Sequence, residues 1–301
     1  MSIDSRAGAV RWWLGPHGRE RAGGVAFQAL DRLPAPLLFV TGAISIYVGA
    51  ALAVNTFASV PAPGVAWLRV VGAAGIMLAW RRPWRGEWGV RRFWLTAAFG
   101  SALAAMNLSY YLSIERLPMG TAVAIEFLGP VVVAAAGSRS RRQVAALVIA
   151  VGGVALLADV QWQGSPSGVG FALLAAGCWA LYITLGAKVA ALGDGIDSLA
   201  AGFALGAVAI APVAAPFSGP AFTDAGLLLL CLSLGLISNV IPYALDQVVM
   251  RKVPPSIFAL LLSLLPATAA VIGLIMLGQV PVTLEAVGIL LVVIAVAVRG
   301  R

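Results

Sequence analysis

The chain has 301 residues, 61% hydrophobic and 11% charged, with a formal net charge of +8 and a mean hydropathy of +0.97. Soluble domains are about 45–50% apolar and about 25% charged, so this balance excludes a soluble globular protein and identifies an integral membrane protein. The basic excess sits in short clusters between apolar runs, which is the cytoplasmic-loop bias of a membrane protein and not a nucleic-acid-binding face.

Residues 1–36 read as a cytoplasmic N-terminal tail. They hold Arg6, Arg11, Arg19, Arg21 and Arg32 but no continuous apolar core, which excludes a secretory signal. Arg11-Trp12-Trp13-Leu14 suits either the headgroup layer or a disordered tail. The single histidine, His17, lies here, and the two cysteines, Cys178 and Cys231, lie in apolar runs without a Cys or His neighbour. No metal site or cofactor is expected.

Beyond the tail, ten apolar spans can be drawn at roughly 37–57, 64–80, 93–114, 119–137, 143–158, 168–190, 198–215, 226–250, 255–277 and 284–298, each near the 20 or so residues that cross a bilayer. The runs do not alternate, so helices and not a barrel are expected. Pro61-Ala62-Pro63-Gly64 and Gly164-Ser165-Pro166-Ser167-Gly168 are turns between them. Arginine and lysine crowd the tail, the 81–92 loop, the 138–142 loop, Arg251-Lys252 and the end, while the alternate loops hold only Arg116. That alternation places both termini in the cytoplasm. The 190–197 loop fits least well, with Asp194 and Asp197 beside Lys188.

Two five-span halves, 37–158 and 168–298, echo each other. Shifted by 136 residues, Arg116, Pro118 and Pro130 coincide with Lys252, Pro254 and Pro266. Gly42 and Tyr47 in the first span likewise line up with Gly177 and Tyr182 in the sixth. Because five is odd, the halves must lie in opposite orientations, an inverted repeat of the kind that builds alternating-access transporters. Gly129-Pro130 and Pro266 are expected to break spans four and nine near the midplane.

Glu126 lies inside span four, where a carboxylate costs at least a few kcal/mol and so needs a function or a partner. It is six or seven residues from the outer end, about 10 Å deep. Arg69 in span two has a comparable depth, and Asn107 and Tyr110 approach the same level from span three. Arg69 and Glu126 either pair structurally or bind the carboxylate and ammonium of a zwitterion. Glu126 is also the candidate proton carrier. Tyr47, Trp179, Tyr182, Asn239 and Tyr243 are mid-span polar groups that line such a site or satisfy a local partner. Asp246 either faces an inner vestibule or pairs with Arg251 or Lys252. Gly42, Gly72 and Gly75 have the small-residue spacing of close helix packing. No Walker loop, metal motif, nucleophile elbow or pair of intramembrane aspartates is present, so an enzyme is not expected.

Residues 61–69 (Pro-Ala-Pro-Gly-Val-Ala-Trp-Leu-Arg), 107–114 (Asn-Leu-Ser-Tyr-Tyr-Leu-Ser-Ile), 120–130 (Gly-Thr-Ala-Val-Ala-Ile-Glu-Phe-Leu-Gly-Pro) and 242–245 (Pro-Tyr-Ala-Leu) resemble the drug/metabolite transporter superfamily of EamA type. The resemblance covers roughly residues 37–298 and is most specific in spans two to four and eight. It implies a ten-helix inverted-repeat fold in the bacterial inner membrane and export of small neutral amino acids such as threonine or homoserine by proton antiport. Another small metabolite or a hydrophobic drug is the alternative cargo. Glu126 and Arg69 match the pattern of the amino-acid exporters in that family, whereas Leu265, before Pro266, and Gln279 stand where those exporters carry glutamates.

Overall fold

The computed structural model describes residues 33–137, 141–162, 165–190, 192, 195–253 and 255–300. The tail segment with His17 and residues 11–14, together with Arg139, Asp194 and Pro254, lies outside them. The described residues form helices joined by short turns and loops: α1 (Ala35–Thr56), α2 (Ala62–Arg81), α3 (Val90–Ile114), α4 (Met119–Glu126), α5 (Leu128–Gly137), α6 (Arg141–Trp162), α7 (Pro166–Ala190), α8 (Gly195–Ala214), α9 (Ala225–Gly235), α10 (Ile241–Lys252), α11 (Pro255–Leu262), α12 (Leu264–Leu277) and α13 (Thr283–Gly300). Short 3-10 turns cover Pro83–Arg85 and Ala215–Thr223, and a π-helical turn over Leu236–Val240 joins α9 to α10.

Local chemistry sets the ends. Pro61 and Pro118 precede α2 and α4, where a missing backbone donor costs nothing. Asp224 caps α9 by accepting from the amides of Gly226 (2.7 Å) and Leu227 (3.1 Å). Gly278, at φ 64°, closes α12 in the left-handed region that glycine tolerates. Five stretches are long and apolar enough to cross a membrane: Ala35–Thr56, Ala62–Arg81, Pro166–Val189, Ile196–Thr223 and Ala225–Met250. Four shorter apolar stretches accompany them: Met119–Val133, Val144–Leu157, Leu264–Leu277 and Thr283–Val298. Polarity is inside out relative to a water-soluble protein. Val208 and Ile275 are each 72% exposed, while Arg69, Asn107, Glu126 and Asn239 are buried. An apolar exterior with its polar groups turned inward suits lipid as the solvent.

Spans four and nine are broken, but not at the prolines themselves. The interruptions fall at Phe127 and Ser263, three residues before Pro130 and Pro266 and 136 residues apart. The physical reason is that a proline removes the donor for the carbonyl four residues earlier and crowds it. Those carbonyls belong to Glu126 and Leu262, the last residues of α4 and α11. The break therefore sits one turn upstream of each ring and places Glu126 at a helix end.

Packing is reciprocal. α3 lies against α7 and α8, and the α9–α10 arm lies against α1 and α2. The α4–α5 pair contacts α7, and α12 contacts α1. Across the middle α2 meets α8, α4 meets α12 and α6 meets α13. Glycine permits several of these approaches. Gly72 faces the Leu232 backbone and Gly235 faces that of Arg69 and Ala73, which brings α2 and α9 together. Gly75, by contrast, has open space around it and Gly42 makes ordinary contacts, so of the glycines expected to mark close packing only Gly72 does. Gly100 on α3 abuts the backbone of Gly202 on α8. Gly100→Ala would drive a methyl into that backbone, an overpacking that costs about 1–3 kcal/mol. A lowered melting temperature in detergent checks this, and unchanged melting would contradict the contact.

Candidate functional site

Arg69, halfway along α2, is 5% exposed. Its Nη1 donates to Asn107 Oδ1 on α3 (2.7 Å) and its Nη2 to Asn239 Oδ1 (2.8 Å) and the Ser238 carbonyl (3.3 Å) in the π-helical turn. The guanidinium also lies over the Tyr111 ring, with Cζ 4.9 Å from the centroid, a cation–π contact. A π turn misaligns carbonyls with the amides of the next turn. Two are satisfied here from other helices: Ser238 by Arg69, and Ile237 by the Ser45 hydroxyl of α1 at 2.6 Å. The bulge is thus held by α1 and α2 together.

Glu126 is 8% exposed at the end of α4. Among the described residues no salt bridge joins it to Arg69, so the direct ion pair considered as a structural reading does not form. Neutral amide oxygens from Asn107 and Asn239 occupy the guanidinium instead. The two opposite charges still interact at longer range. Tyr47 of α1, Tyr110 of α3, Cys178 of α7 and Tyr243 of α10 are within electrostatic reach of the same carboxyl. Arg69 thus ties α2 to α3 and to the π-helical turn, while buried Glu126 forms no salt bridge with it among the described residues.

The remaining expected residues form an adjoining layer. Trp179 packs edge-to-face on Phe127, the residue at the break, with centroids 4.9 Å apart. Tyr182 stacks on Phe99 at 4.9 Å, and Tyr243 meets Phe203 at 6.0 Å. Tyr182 and Tyr243 interact with each other. Lys252 donates to the Leu33 carbonyl. Pro130 and Pro266 are buried just beyond the two breaks, Leu265 is buried in the apolar core, and Leu262 stands at the second break where Glu126 stands at the first.

Gln279 has a role that spacing did not reveal. Its Oε1 accepts from the backbone amide of Met119 at 2.9 Å, satisfying an otherwise unpaired donor in the first turn of α4. An amide and a carboxylate both supply that acceptor. Gln279→Ala is expected to cost about 1 kcal/mol, the usual value of a lost cap, and Gln279→Glu to restore it. Melting temperatures of the two variants check this, and equal melting would sink it. Glu285 was also missed. It is 3% exposed and accepts from Thr121 of α4 (3.4 Å), from Gln161 of α6 and from the Val282 amide (3.0 Å). Its signal was an acid in the first turn of the last span.

Contacts between helix ends fall into two sets. Arg81 of α2 pairs with Asp197 of α8 at 2.9 Å, and Arg92 of α3 donates to Ser198 at 3.2 Å. In the other set α4 meets α6 and α13 through Glu285, and Arg116 pairs with Glu115. The acidity of the 190–197 loop is thus partly answered by Arg81. Among the described residues no group of three or more His, Cys, Asp or Glu side chains is placed to hold a metal ion.

Comparison with known proteins adds the family. The family model for EamA-like transporters matches residues 166–299. The threonine/homoserine exporter RhtA of Escherichia coli K12 is 36% identical over 261 residues, covering 85% of this chain and 88% of that protein. Its counterpart from Salmonella typhimurium LT2 is 35% identical over 246 residues, 81% of this chain and 83% of the relative. A solved crystal structure superposes with a TM-score of 0.59 over 88% of this chain and 96% of its own, at 20% identity, a likeness of fold alone. With a multi-helix apolar body, a buried polar node and these relatives, the chain belongs to the EamA-like transporter family.

Proposed function

We propose that the protein is a secondary active exporter of small neutral amino acids, threonine and homoserine among them, in the bacterial cytoplasmic membrane. The observation that carries this reading is the pair Arg69 and Glu126, buried in one node yet not bonded to each other. A zwitterion's carboxylate and ammonium complement such a pair. In this reading Arg69 takes the carboxylate, and Glu126 takes the ammonium or carries the proton that drives antiport.

Ten spans in two inverted repeats with both termini cytoplasmic form the framework of the proposal. Three features support it: the breaks 136 residues apart, the reciprocal packing, and the helix-end contacts. The Arg81–Asp197, Arg92–Ser198 and Glu285 contacts each join ends that an alternating ten-span path puts on one side of the membrane. Alternating access then amounts to rocking the halves about the Arg69–Glu126 node. Leu265 favours the second reading, export of a less polar metabolite or a hydrophobic drug, because it places an apolar side chain beside the second break.

The test is efflux of preloaded radiolabelled threonine and homoserine from cells lacking their own exporters, with and without a collapsed proton gradient. Gradient-dependent efflux above empty-vector cells is the expected result. Failure to move either solute, with drug efflux present, would transfer the assignment to the second reading.

A further inference from the structure

Resting on the amino-acid reading of this site, the hydrogen bonds around Arg69 distinguish its two asparagines. Arginine is a donor only, so Asn107 and Asn239 must both present their Oδ1 to it. Each Nδ2 is thereby turned away from the guanidinium. Asn107 Nδ2 donates to the Leu103 carbonyl of its own helix at 2.8 Å, so both ends of that amide are engaged. Asn239 Nδ2 has no hydrogen-bond partner among the described residues, although the residue is only 2% exposed.

Arg69 Nε is buried and unpartnered in the same way. Nε and Nη2 share one edge of a guanidinium, an edge arginine offers to carboxylates as a two-pronged fork. Asn239 accepts from Nη2, one of the two nitrogens of that edge. The Tyr110 hydroxyl, one turn along α3 from Asn107, also lacks a partner among the described residues. Ser238 Oγ is a different case, because it is turned against Gly49 of α1. Arg69 Nε and Asn239 Nδ2 can only donate, and the Tyr110 hydroxyl is free to. An unmade bond of this kind is costly in a dry interior, and an anionic acceptor answers all three.

We infer that Asn239 is a substrate ligand: its Nδ2 joins Arg69 Nε in binding the α-carboxylate of the transported amino acid. Asn107 is a positioning residue that holds the guanidinium to α3. The π-helical turn presents Asn239, and such turns recur at functional sites because the extra residue re-aims a side chain within a continuous helix. Carboxylate binding thereby acts on the irregular segment that α1 and α2 hold in place.

The experiment is threonine exchange in proteoliposomes made with wild type, Asn239→Ala and Asn239→Asp, with 1-aminopropan-2-ol, which is threonine without its carboxylate, as competitor. Asn239→Ala is expected to raise the KM for threonine about tenfold, the size of a lost hydrogen bond to a charged group, and to leave inhibition by 1-aminopropan-2-ol within about twofold of wild type on the same grounds. Asn239→Asp keeps the acceptor that Arg69 uses, so it guards against misfolding. It replaces the donor by a second anionic oxygen, and exchange is expected to vanish with melting retained. An unchanged or lowered KM in Asn239→Ala, or wild-type exchange in Asn239→Asp, would show that Asn239 merely occupies Arg69. Either result overturns the inference while wild-type exchange leaves the amino-acid reading intact. Wild type that exchanges no amino acid would end both.

Discussion

Arg69→Leu is expected to abolish transport and to lower stability by about 2–4 kcal/mol. Three buried acceptors, Asn107 Oδ1, Asn239 Oδ1 and the Ser238 carbonyl, lose their donor, each at a cost of about 1–3 kcal/mol. Removing a charge from the membrane interior offsets about 2.5–3.5 kcal/mol of that sum, and the net remains unfavourable. The π-helical turn loses one of its two outside anchors, and the damage is therefore expected to extend to α9 and α10. Arg69→Lys separates the charge from the fork. A compact ammonium cannot span Asn107 and Asn239 as a planar guanidinium does. Partial recovery of melting without recovery of transport is the expected outcome. Melting in detergent and efflux of labelled threonine, measured on the same preparations, decide the matter. An Arg69→Leu protein that melts and exports like wild type would remove Arg69 from both roles.

Glu126→Gln is expected to do the opposite to the fold: melting is preserved while gradient-driven efflux falls to the level of cells without the protein. Glutamine has the same shape, and Glu126 holds no salt bridge whose loss could unfold the node. The change removes the only carboxyl at the first break and with it the capacity to exchange a proton between two solvents. Counterflow of labelled threonine without a gradient then separates the two roles open to Glu126. Counterflow retained assigns proton carriage, and counterflow lost assigns ammonium binding. A variant that still exports threonine in proportion to the gradient would exclude Glu126 from coupling.

Cap and packing variants probe a different link. Gln279→Ala and Gly100→Ala act on the ends and crossings of helices away from the buried node. Their effects should appear in melting first and in transport only through protein level. That contrast keeps stability loss from being mistaken for loss of a ligand.

Much of this protein can be read from neighbours in the chain. The apolar runs reappear as helices whose ends lie within a few residues of those drawn from hydropathy and Pro-Gly turns, with the fourth, eighth and ninth runs each divided in two. The reason is local: in lipid each backbone must bond within its own segment, so the length of an apolar run defines a helix. Glu126 and Arg69 stood out because charge inside such a run is rare. The upstream position of the two breaks was also present in the sequence, since a proline acts on the carbonyl four residues before it.

Tertiary structure alone decided the partners. Arg69 chose Asn107 and Asn239 over Glu126, across separations of 38 and 170 residues. The choice depends on which helices cross at that depth, and glycines such as Gly72 and Gly235 allow that crossing. The π-helical turn has no proline or glycine between Leu236 and Val240, but Pro242 removes the amide donor for the Ser238 carbonyl, so the sequence marks that carbonyl while packing supplies Arg69 to answer it. Gln279 and Glu285 likewise gained their roles from helix ends that come together only in the folded bundle. Apolar runs and prolines act within one turn of the chain, whereas a buried donor finds its acceptor wherever packing has placed one.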